Sequence, residues 1–472
     1  MKKRYLKVIS VILLSLFIFG KLGSILEANY DGNQALNGLY QMDKNTADVI
    51  FYGSSHIYAG VNTVKLWDEY GIAGYDLAGT MQTLWNSYYN MKESLKYQSP
   101  EVMVVDVYGA LIEEEYYTST NVIKNVSNMR FSINKIENVW ASVPHEDFLS
   151  YLFSYPLTHD SYKDLQKGNY IEEINQVGGK WYKGFKPSFA VTQYDKLPQI
   201  DVNVEKTAPS EKNIEYLKKM VNLAKEKEIQ LVFIVVPYEG VQKEDEEIYL
   251  WVKEFALEND VPFLDGNSYY KEMSFDSTTD FAEASHLNYS GACKFTTYLG
   301  KWLKESYKLE DRRGEEKYVS WQNYSDSWEL YQKNQDLVKI KEAEEYIDMI
   351  QFSENYILFI SFDNNYKENP YVALLEKVVG KNPYDLKGEG TFVIDGENLL
   401  YQTPDEPEYL WYLETEAMDI AVVREYGGQM QVVVNSINQN NNYSDVSILV
   451  YDKKLDMIAD VVSFNRDGVI NR

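Results

Sequence analysis

The sequence has little cysteine and little histidine, which narrows the chemistry open to it. Its 472 residues include one cysteine, Cys293, and four histidines. A single cysteine cannot form an internal disulfide, and it offers no cluster of thiolates for a metal ion. An exported protein of this composition would therefore have to fold without disulfides, and we predict no metal site.

Basic residues are also scarce. The chain has 46 Lys and Arg against 72 Asp and Glu, which gives a formal net charge of −26. Nucleic-acid binding requires clustered Lys and Arg to neutralise phosphates, so we predict no nucleic-acid partner. The negative charge does not exclude a location at a membrane, because the acidic residues are spread over the whole chain. The 41 tyrosines suit contacts with sugars, although tyrosine is also an ordinary packing residue.

The clearest local signal is at the amino terminus. Basic residues in MKKRYLK precede an uncharged apolar stretch at 8–19, which is the pattern of an export signal. Counted to residue 26, the stretch would span roughly 28 Å as a helix. We predict that residues 1–28 form an uncleaved signal anchor. The basic end would lie in the cytoplasm and the rest outside, at a cell membrane of the Gram-positive type. A cleaved signal peptide is the alternative.

The remainder predicts two domains. Residues 29–312 alternate strand-like and helix-like segments, and this βαβα order predicts a parallel sheet covered by helices on both faces. Residues 110–210 interrupt the alternation and predict a largely helical insertion that could form a lid or a substrate wall. After a charge-dense joint at 308–317, residues 313–472 predict a separate α+β module. That module contains no histidine and no cysteine, and we identify no constellation for chemistry in it.

Two polar turns of the α/β domain carry the candidate chemistry. The segment VIFYGSSH places Ser55 after a strand, and FAEASHLNYSGA places Glu283 three residues before His286. Both turns lead into helices, and in a parallel sheet such turns share the carboxyl edge where ligands bind. Histidine can take the proton of a serine hydroxyl, and a carboxylate can fix the imidazole tautomer. The sequence therefore predicts a Ser55–His286–Glu283 triad, with Asp280 as an alternative to Glu283.

Other residues near these turns are candidates for binding an oxyanion or the substrate. The backbone N–H of Ser55 lies at a helix start, and Gly79 could supply a second N–H. Gln82 is a possible side-chain donor, and Asp106 either lines the pocket or is an ordinary strand-end residue. His56 is expected to be structural or to face the substrate. Each feature also has a structural interpretation, since the serines could only cap a helix and Gly79 could serve only backbone packing.

The segments FYGSSHIYAGVNTVKLWDEYGIAGYDLAG and DFAEASHLNYSGACKFTTYLGKWL resemble the SGNH (GDSL-type) esterase and acyltransferase superfamily. Within it, residues 1–310 resemble the membrane-anchored, DltD-like branch that acylates surface polymers. The resemblance implies a flavodoxin-type sheet, with Ser55 as nucleophile, Gly79 as oxyanion donor and Glu283 to His286 as the last motif. Glu stands where the superfamily usually has Asp, and no asparagine after VMVVDVYG matches the superfamily's third motif.

These observations predict an extracytoplasmic, membrane-tethered O-acyltransferase. It would move an acetyl or D-alanyl-like group onto a hydroxyl of a cell-surface polysaccharide or teichoic acid. The resemblance implies a membrane-bound O-acyltransferase as partner, and the chemistry requires no cofactor. Two alternatives remain open: a secreted carbohydrate esterase with the same triad, and a non-catalytic scaffold that binds surface polymer.

Overall fold

In a computed structural model of the protein, the structure describes residues 14–15, 18, 34–116, 120–153, 182–200, 204–351, 353–415, 418–435, 437–440 and 444–472. The predicted anchor at 1–28 lies outside the described residues apart from three positions. One of the four histidines, His159 of the insertion, also lies outside them. No helix within these ranges is both long and apolar enough to cross a membrane. The chain divides into a first compact unit that ends at Ser325 and a second that runs from Asp326 to Arg472.

The first unit is built on a parallel sheet that supports several helices. Its strands are β1 (Val49–Gly53), β2 (Gly74–Ala78), β3 (Val102–Asp106), β4 (Gln230–Val235) and β5 (Phe263–Asp265), and a separate hairpin comprises β6 (Phe281–Glu283) and β7 (His286–Leu287). Its helices are α1 (Gln34–Gln41), α2 (Ser55–Gly60), α3 (Thr63–Tyr70), α4 (Leu84–Ser94), α5 (Thr120–Val126), α6 (Ile133–Ser142), α7 (Phe148–Leu152), α8 (Glu211–Lys227), α9 (Lys243–Glu258) and α10 (Tyr289–Ser306).

The strands of the parallel sheet are in the order β2-β1-β3-β4-β5. This is the doubly wound order of flavodoxin-like sheets, in which ligands bind at the carboxyl edge near β1 and β3. The central strands are buried on both faces, and the side chains of β1 alternate between two apolar clusters. Ile50 and Tyr52 pack in the cluster that includes α4 and α8, whereas Val49 and Phe51 pack in the cluster that includes α3 and α10. The predicted parallel sheet, with helices on both faces, is confirmed.

The predicted insertion is helical in its first described part. Helices α5, α6 and α7 pack around their own small apolar core. The later part, 185–200, contains neither helix nor strand. It instead runs beside the β6–β7 hairpin, where Thr192 donates its backbone N–H to Phe281 O at 2.9 Å. This stretch, which we call the strap, is therefore hydrogen-bonded to the hairpin that carries His286.

Arg312, in the predicted charge-dense joint, and Trp321, which follows the joint, are both bonded to residues of the first unit. Arg312 donates to both carboxylate oxygens of Asp48, with Nη2–Oδ1 at 3.0 Å and Nε–Oδ2 at 3.3 Å. Trp321 is buried, and its indole N–H donates to Gly74 O at 3.1 Å. The division between the units follows these residues, within helix α11 (Val319–Lys339).

The second unit is an α+β module, as predicted. One sheet is antiparallel in the order β10-β9-β8-β15-β16, and a smaller one has the order β11-β12-β13-β14. The strands are β8 (Tyr356–Phe362), β9 (Gly390–Asp395), β10 (Asn398–Gln402), β11 (Tyr409–Glu414), β12 (Asp419–Arg424), β13 (Gln431–Val434), β14 (Ile437–Asn438), β15 (Val446–Asp452) and β16 (Met457–Phe464), with helices α12 (Ala343–Ile350) and α13 (Val372–Val379).

Candidate active site

The two adjacent serines after β1 have different roles in the structure. Ser54 is the N-cap of α2, and its hydroxyl accepts the backbone N–H of His56 at 3.3 Å. Ser55 is the first residue of the helix, so its hydroxyl is not used for capping and its N–H has no acceptor in a preceding helical turn. Gly53 is required before them, because a Cβ at this position would lie 2.8 Å from Asp106 Cβ. The turn thus presents Ser55 at the carboxyl edge of the sheet.

The other half of the site is the β6–β7 hairpin. In its antiparallel register Glu283 is paired with His286. The Glu283 carboxylate contacts Nδ1 of His286 through one oxygen and accepts the backbone N–H of Ser285 at 2.8 Å through the other. Nε2 of His286 lies 2.6 Å from Oγ of Ser55, although the two residues are separated by 231 positions in the sequence. The structure thus brings the three predicted residues together in one hydrogen-bonded chain.

This arrangement fixes the chemistry that each group can perform. With Nδ1–H donating to the carboxylate, Nε2 of His286 carries the lone pair that accepts the Ser55 hydroxyl proton. The serine then becomes a usable nucleophile, and the carboxylate stabilises the imidazolium that forms. The side chains of His286 and Glu283 are 29% and 52% exposed, whereas Ser55 is only 5% exposed, so solvent reaches the histidine and the carboxylate but the nucleophile is buried.

Contacts from two other segments hold the hairpin in place. Thr192 of the strap donates its hydroxyl to Ala282 O at 2.7 Å, in addition to its backbone bond to Phe281. Gly240, which follows β4, donates its N–H to Ala284 O at 2.7 Å. The residues on either side of Glu283 are therefore tied to separate parts of the fold.

The alternative carboxylate, Asp280, is engaged elsewhere. It is fully buried and forms an ion pair with Lys294 at 2.6 Å. It also accepts the hydroxyl of Ser290 at 2.7 Å. Asp280 therefore anchors the start of α10 near the hairpin, and the structure brings Glu283, not Asp280, to the imidazole.

The predicted oxyanion donors other than Ser55 are already bonded within the fold. The N–H of Gly79 donates to Gly53 O at 3.2 Å, so an oxyanion would compete with that carbonyl. The side-chain amide of Gln82 donates to Ser87 Oγ at 3.0 Å and to Leu77 O at 3.4 Å. The side chain of Gln82 therefore has a structural role in this conformation. The structure leaves the N–H of Ser55 as the donor best placed beside the nucleophile.

An asparagine that the sequence did not single out lies against Gly79. A Cβ at Gly79 would approach Oδ1 of Asn125 to 2.2 Å, so the two residues pack tightly. The Asn125 amide donates to Thr80 O at 2.9 Å and to Asn121 O at 3.0 Å. It thus fixes the loop after β2. Its position in α5, within the insertion, explains why no motif after β3 revealed it.

Asp106 and His56 lie beside the nucleophile in buried surroundings. Asp106 accepts the N–H of Val236 at 3.4 Å, and burial raises the pKa of its carboxyl to about 7. The His56 ring stacks on Tyr108 with centroids 3.8 Å apart and lies 5.4 Å from the ring of His286. Burial, with a smaller contribution from the charge of His286, holds the pKa of His56 well below its usual value. A neutral His56 therefore forms part of the wall next to the imidazole of His286.

Some groups around the site could not be found from the sequence. Tyr108 and Tyr238 pack edge to face at 5.7 Å and enclose His56, yet nothing distinguishes them from the other tyrosines in the sequence. Thr192 lies 90 residues from the carbonyl that it binds. Within the described ranges, no group of three or more His, Cys, Asp or Glu is arranged to hold a metal ion.

Comparisons with known proteins add structural neighbours only. No protein-family model matches the sequence, and no curated protein matches it. A protein from Desulfitobacterium hafniense described as lipolytic and of the G-D-S-L family has a TM-score of 0.29 and 14% identity, covering 54% of this chain and 99% of its own. A protein from Bacteroides fragilis described as an acylhydrolase has a TM-score of 0.28 and 16% identity, covering 59% and 97%.

A third solved structure, a gut microbial diltiazem-metabolizing enzyme, has a TM-score of 0.28 and 14% identity, covering 55% of this chain and 48% of its own. These similarities are low. The interpretation of the site therefore rests on the strand order of the sheet and on the contacts among Ser55, His286 and Glu283.

Proposed function

We propose that the first unit is a serine-dependent acyl-transfer enzyme. One observation carries this proposal: Oγ of Ser55 lies 2.6 Å from Nε2 of His286, whose other ring nitrogen contacts Glu283. A serine that only caps a helix has no need of a histidine held by a carboxylate. The capping role is filled by Ser54, which leaves Ser55 for chemistry.

The reaction follows from the geometry in two steps. Ser55 attacks the acyl carbonyl, its proton moves to Nε2 of His286, and the acyl–oxygen bond of the donor breaks as the leaving group takes that proton. The resulting acyl-serine is then attacked by an acceptor hydroxyl, whose proton passes to His286 and then to Ser55. Through both steps, Glu283 keeps the imidazole in the required orientation.

The acceptor we propose is a hydroxyl of a cell-surface polysaccharide or teichoic acid. The exposed edges of His286 and Glu283 support this, because a long polymer can reach an open site more easily than an enclosed pocket. The amino-terminal sequence supports a tether to the outer side of a membrane. The resemblance to the membrane-anchored acylating branch supports an acetyl or D-alanyl-like acyl group, delivered by a membrane-bound O-acyltransferase.

A carbohydrate esterase is the second candidate, and the same exposure favours it. Water can reach the exposed side of His286, from which an acyl-serine at Ser55 would be attacked. The two candidates share the first step and differ only in the acceptor. Rapid hydrolysis of p-nitrophenyl acetate without a partner protein would favour the esterase over the transferase.

The shared step is tested with a fluorophosphonate probe, which labels activated serines. We expect covalent labelling of the wild-type protein and loss of labelling in Ser55→Ala. The exposed Ser99 provides a matched control, since Ser99→Ala should label normally. Equal labelling of wild type and Ser55→Ala would contradict the proposal, and so would the absence of labelling in the folded wild-type protein.

The acceptor is tested in cells. A deletion strain complemented with the wild-type gene should recover the acyl content of its cell wall, whereas Ser55→Ala should not. Recovery with both variants would favour a non-catalytic scaffold. A higher acyl content in the deletion strain, lowered by wild type alone, would identify the esterase.

A further inference from the structure

The insertion carries a group of large apolar side chains that face solvent. These residues, which we call the insertion patch, are each between 44% and 75% exposed, and they are Phe131, Ile133, Trp140, Leu149 and Phe153. They come from α6, from α7 and the residue that follows it, and from the segment before α6. A soluble surface rarely concentrates so many large apolar side chains in one place, and such concentrations mark interaction sites.

The members of the insertion patch are neighbours in space. The rings of Phe131 and Phe153 stack with centroids 6.2 Å apart. Ile133 and Trp140 are seven residues apart in α6, so they lie on the same helical face. Leu149 lies one turn before Phe153.

The internal core of the insertion does not include these side chains, although Trp140 also stacks on His145 and packs edge to face on Phe148. That core is formed by a separate set of buried residues from α5, α6 and α7, namely Val122, Val126, Val139, Val143 and Leu152. The patch points away from this core, as its exposure shows. Its apolar area is therefore available for a partner.

The position of the patch relative to the amino-terminal segment indicates which partner it would meet. Tyr40, at the end of α1, accepts the backbone N–H of Arg130 at 3.0 Å. The guanidinium of Arg130 also lies 4.2 Å from the centre of the Tyr40 ring. Arg130 directly precedes Phe131, so the helix that follows the amino-terminal segment is attached at the border of the patch.

The chain between the predicted anchor and α1 is short. Residues 27–33 connect them, and seven extended residues reach at most about 25 Å. A membrane span at 8–26 would therefore keep α1, and the patch beside it, close to the bilayer surface. The tether would therefore limit how far α1, and the border of the patch at Arg130, can lie from the bilayer.

The local charge is compatible with this position. Residues 120–153 contain three basic residues (Lys124, Arg130 and Lys135) and three acidic residues (Glu137, Glu146 and Asp147), so their formal charge is zero, whereas the whole chain carries −26. A membrane surface with anionic lipids repels a strongly negative protein face. The neutral segment 120–153, which carries the insertion patch, is the kind of surface that such a membrane tolerates.

We propose that the insertion patch docks on the lipid surface of the bilayer in which residues 8–26 are anchored. This inference goes beyond the proposed acyl transfer, because it depends on the predicted anchor and on the patch but not on the triad. Docking would insert the aromatic and aliphatic side chains into the interfacial region, as amphipathic surface elements do.

The test places one environment-sensitive label on the patch of the full-length protein. In a Cys293→Ser background, which leaves no other thiol, Leu149→Cys is labelled with a nitrobenzoxadiazole dye. Leu257→Cys serves as a matched control, since Leu257 is also an exposed leucine, on α9. Both proteins are reconstituted into vesicles of phosphatidylcholine and phosphatidylglycerol, with and without doxyl-labelled lipid. Ile133→Cys provides a second patch position if the first variant does not fold.

We expect the label at Leu149 to shift to shorter wavelength in vesicles and to lose at least half of its intensity to the doxyl lipid. The label at Leu257 should keep its aqueous emission. An unshifted Leu149 label would overturn the proposal. A shifted label that the doxyl lipid does not quench would overturn it too, because residues 154–181 or a second copy of the chain would then cover the patch. Lipid contact is measured directly, so the result is independent of whether Ser55 transfers an acyl group.

Discussion

Replacing Glu283 by Gln tests the orientation of the catalytic imidazole. Each carboxylate oxygen of Glu283 has one N–H partner, Nδ1–H of His286 or the backbone N–H of Ser285. Glutamine has only one carbonyl oxygen, so its NH₂ group must face one of these two donors. If it faces Nδ1, the imidazole must carry its proton on Nε2, and it can no longer accept the proton of Ser55.

The size of the effect depends on the exposure of the pair. In a triad with a buried orienting carboxylate, the corresponding change lowers kcat about 10⁴-fold. Here the side chain of Glu283 is 52% exposed, so water can replace part of its hydrogen bonding to the ring. We therefore expect kcat/KM to fall about 10²- to 10³-fold, which corresponds to roughly 3–4 kcal/mol of lost transition-state stabilisation.

The assay compares the rate of fluorophosphonate labelling and the hydrolysis of p-nitrophenyl acetate. Glu283→Asp retains the carboxylate on a shorter side chain and should lose less activity than Glu283→Gln. Glu272→Gln removes the charge of an exposed carboxylate that lies eleven residues before Glu283 in the sequence, and this variant should behave as wild type. Wild-type kcat/KM in Glu283→Gln, with the fold intact, would refute the role assigned to Glu283.

Three other substitutions test separate contacts. Burial raises the pKa of Asp106 to about 7, so its proton stabilises the folded protein at low pH and this contribution is lost as pH rises through 7. The free energy of unfolding should therefore differ less between pH 5 and pH 8 in Asp106→Asn than in wild type, by about 3 kcal/mol at most. Thr192→Val removes one hydrogen bond that holds the strand of Glu283, and kcat should fall roughly fivefold with little change in KM, as measured by steady-state kinetics. Arg312→Gln leaves the carboxylate of Asp48 buried without its cation and should lower the free energy of unfolding by about 3–5 kcal/mol in urea titrations, whereas an unchanged value would show that the pair contributes nothing.

The sequence predicted the parts of the site that follow from the sheet. Apolar strands ending in polar turns identify the carboxyl edge and place Ser55 there, whereas His286, 231 residues later, reaches Ser55 from a hairpin outside the parallel sheet. The three-residue spacing of Glu283 and His286 suggested the orienting carboxylate, although the hairpin that pairs them was not expected. The resemblance placed the nucleophile on Ser55, and the structure gives the capping role to its neighbour Ser54, which suits a helix start equally well from sequence alone.

The parts that the sequence did not predict depend on contacts between distant segments. Gln82 looked like a free donor, but its amide is used by Ser87, five residues later, within the buried side of α4. The strap residue Thr192 carries no motif, and its role exists only because 185–200 passes beside the hairpin. The insertion patch follows no strict period, since its members come from different elements and meet only after α6 and α7 pack.

The exposure of the triad also bears on which acceptor receives the acyl group. Because His286 and Glu283 are partly exposed, water can reach the proton-accepting side of the site, so a transferase must favour its acceptor by holding it. Well-oriented groups reach effective molarities of about 10⁵–10⁸ M, which is enough for a bound hydroxyl to outcompete bulk water. Orientation requires contacts beyond the reacting sugar, and a longer polymer supplies more of them. We therefore expect the ratio of transfer to hydrolysis to rise with the length of the acceptor oligosaccharide, measured as acylated oligosaccharide against free acid. A ratio that stays constant with length would mean that the acceptor is not held, and it would leave water as the acceptor for Ser55.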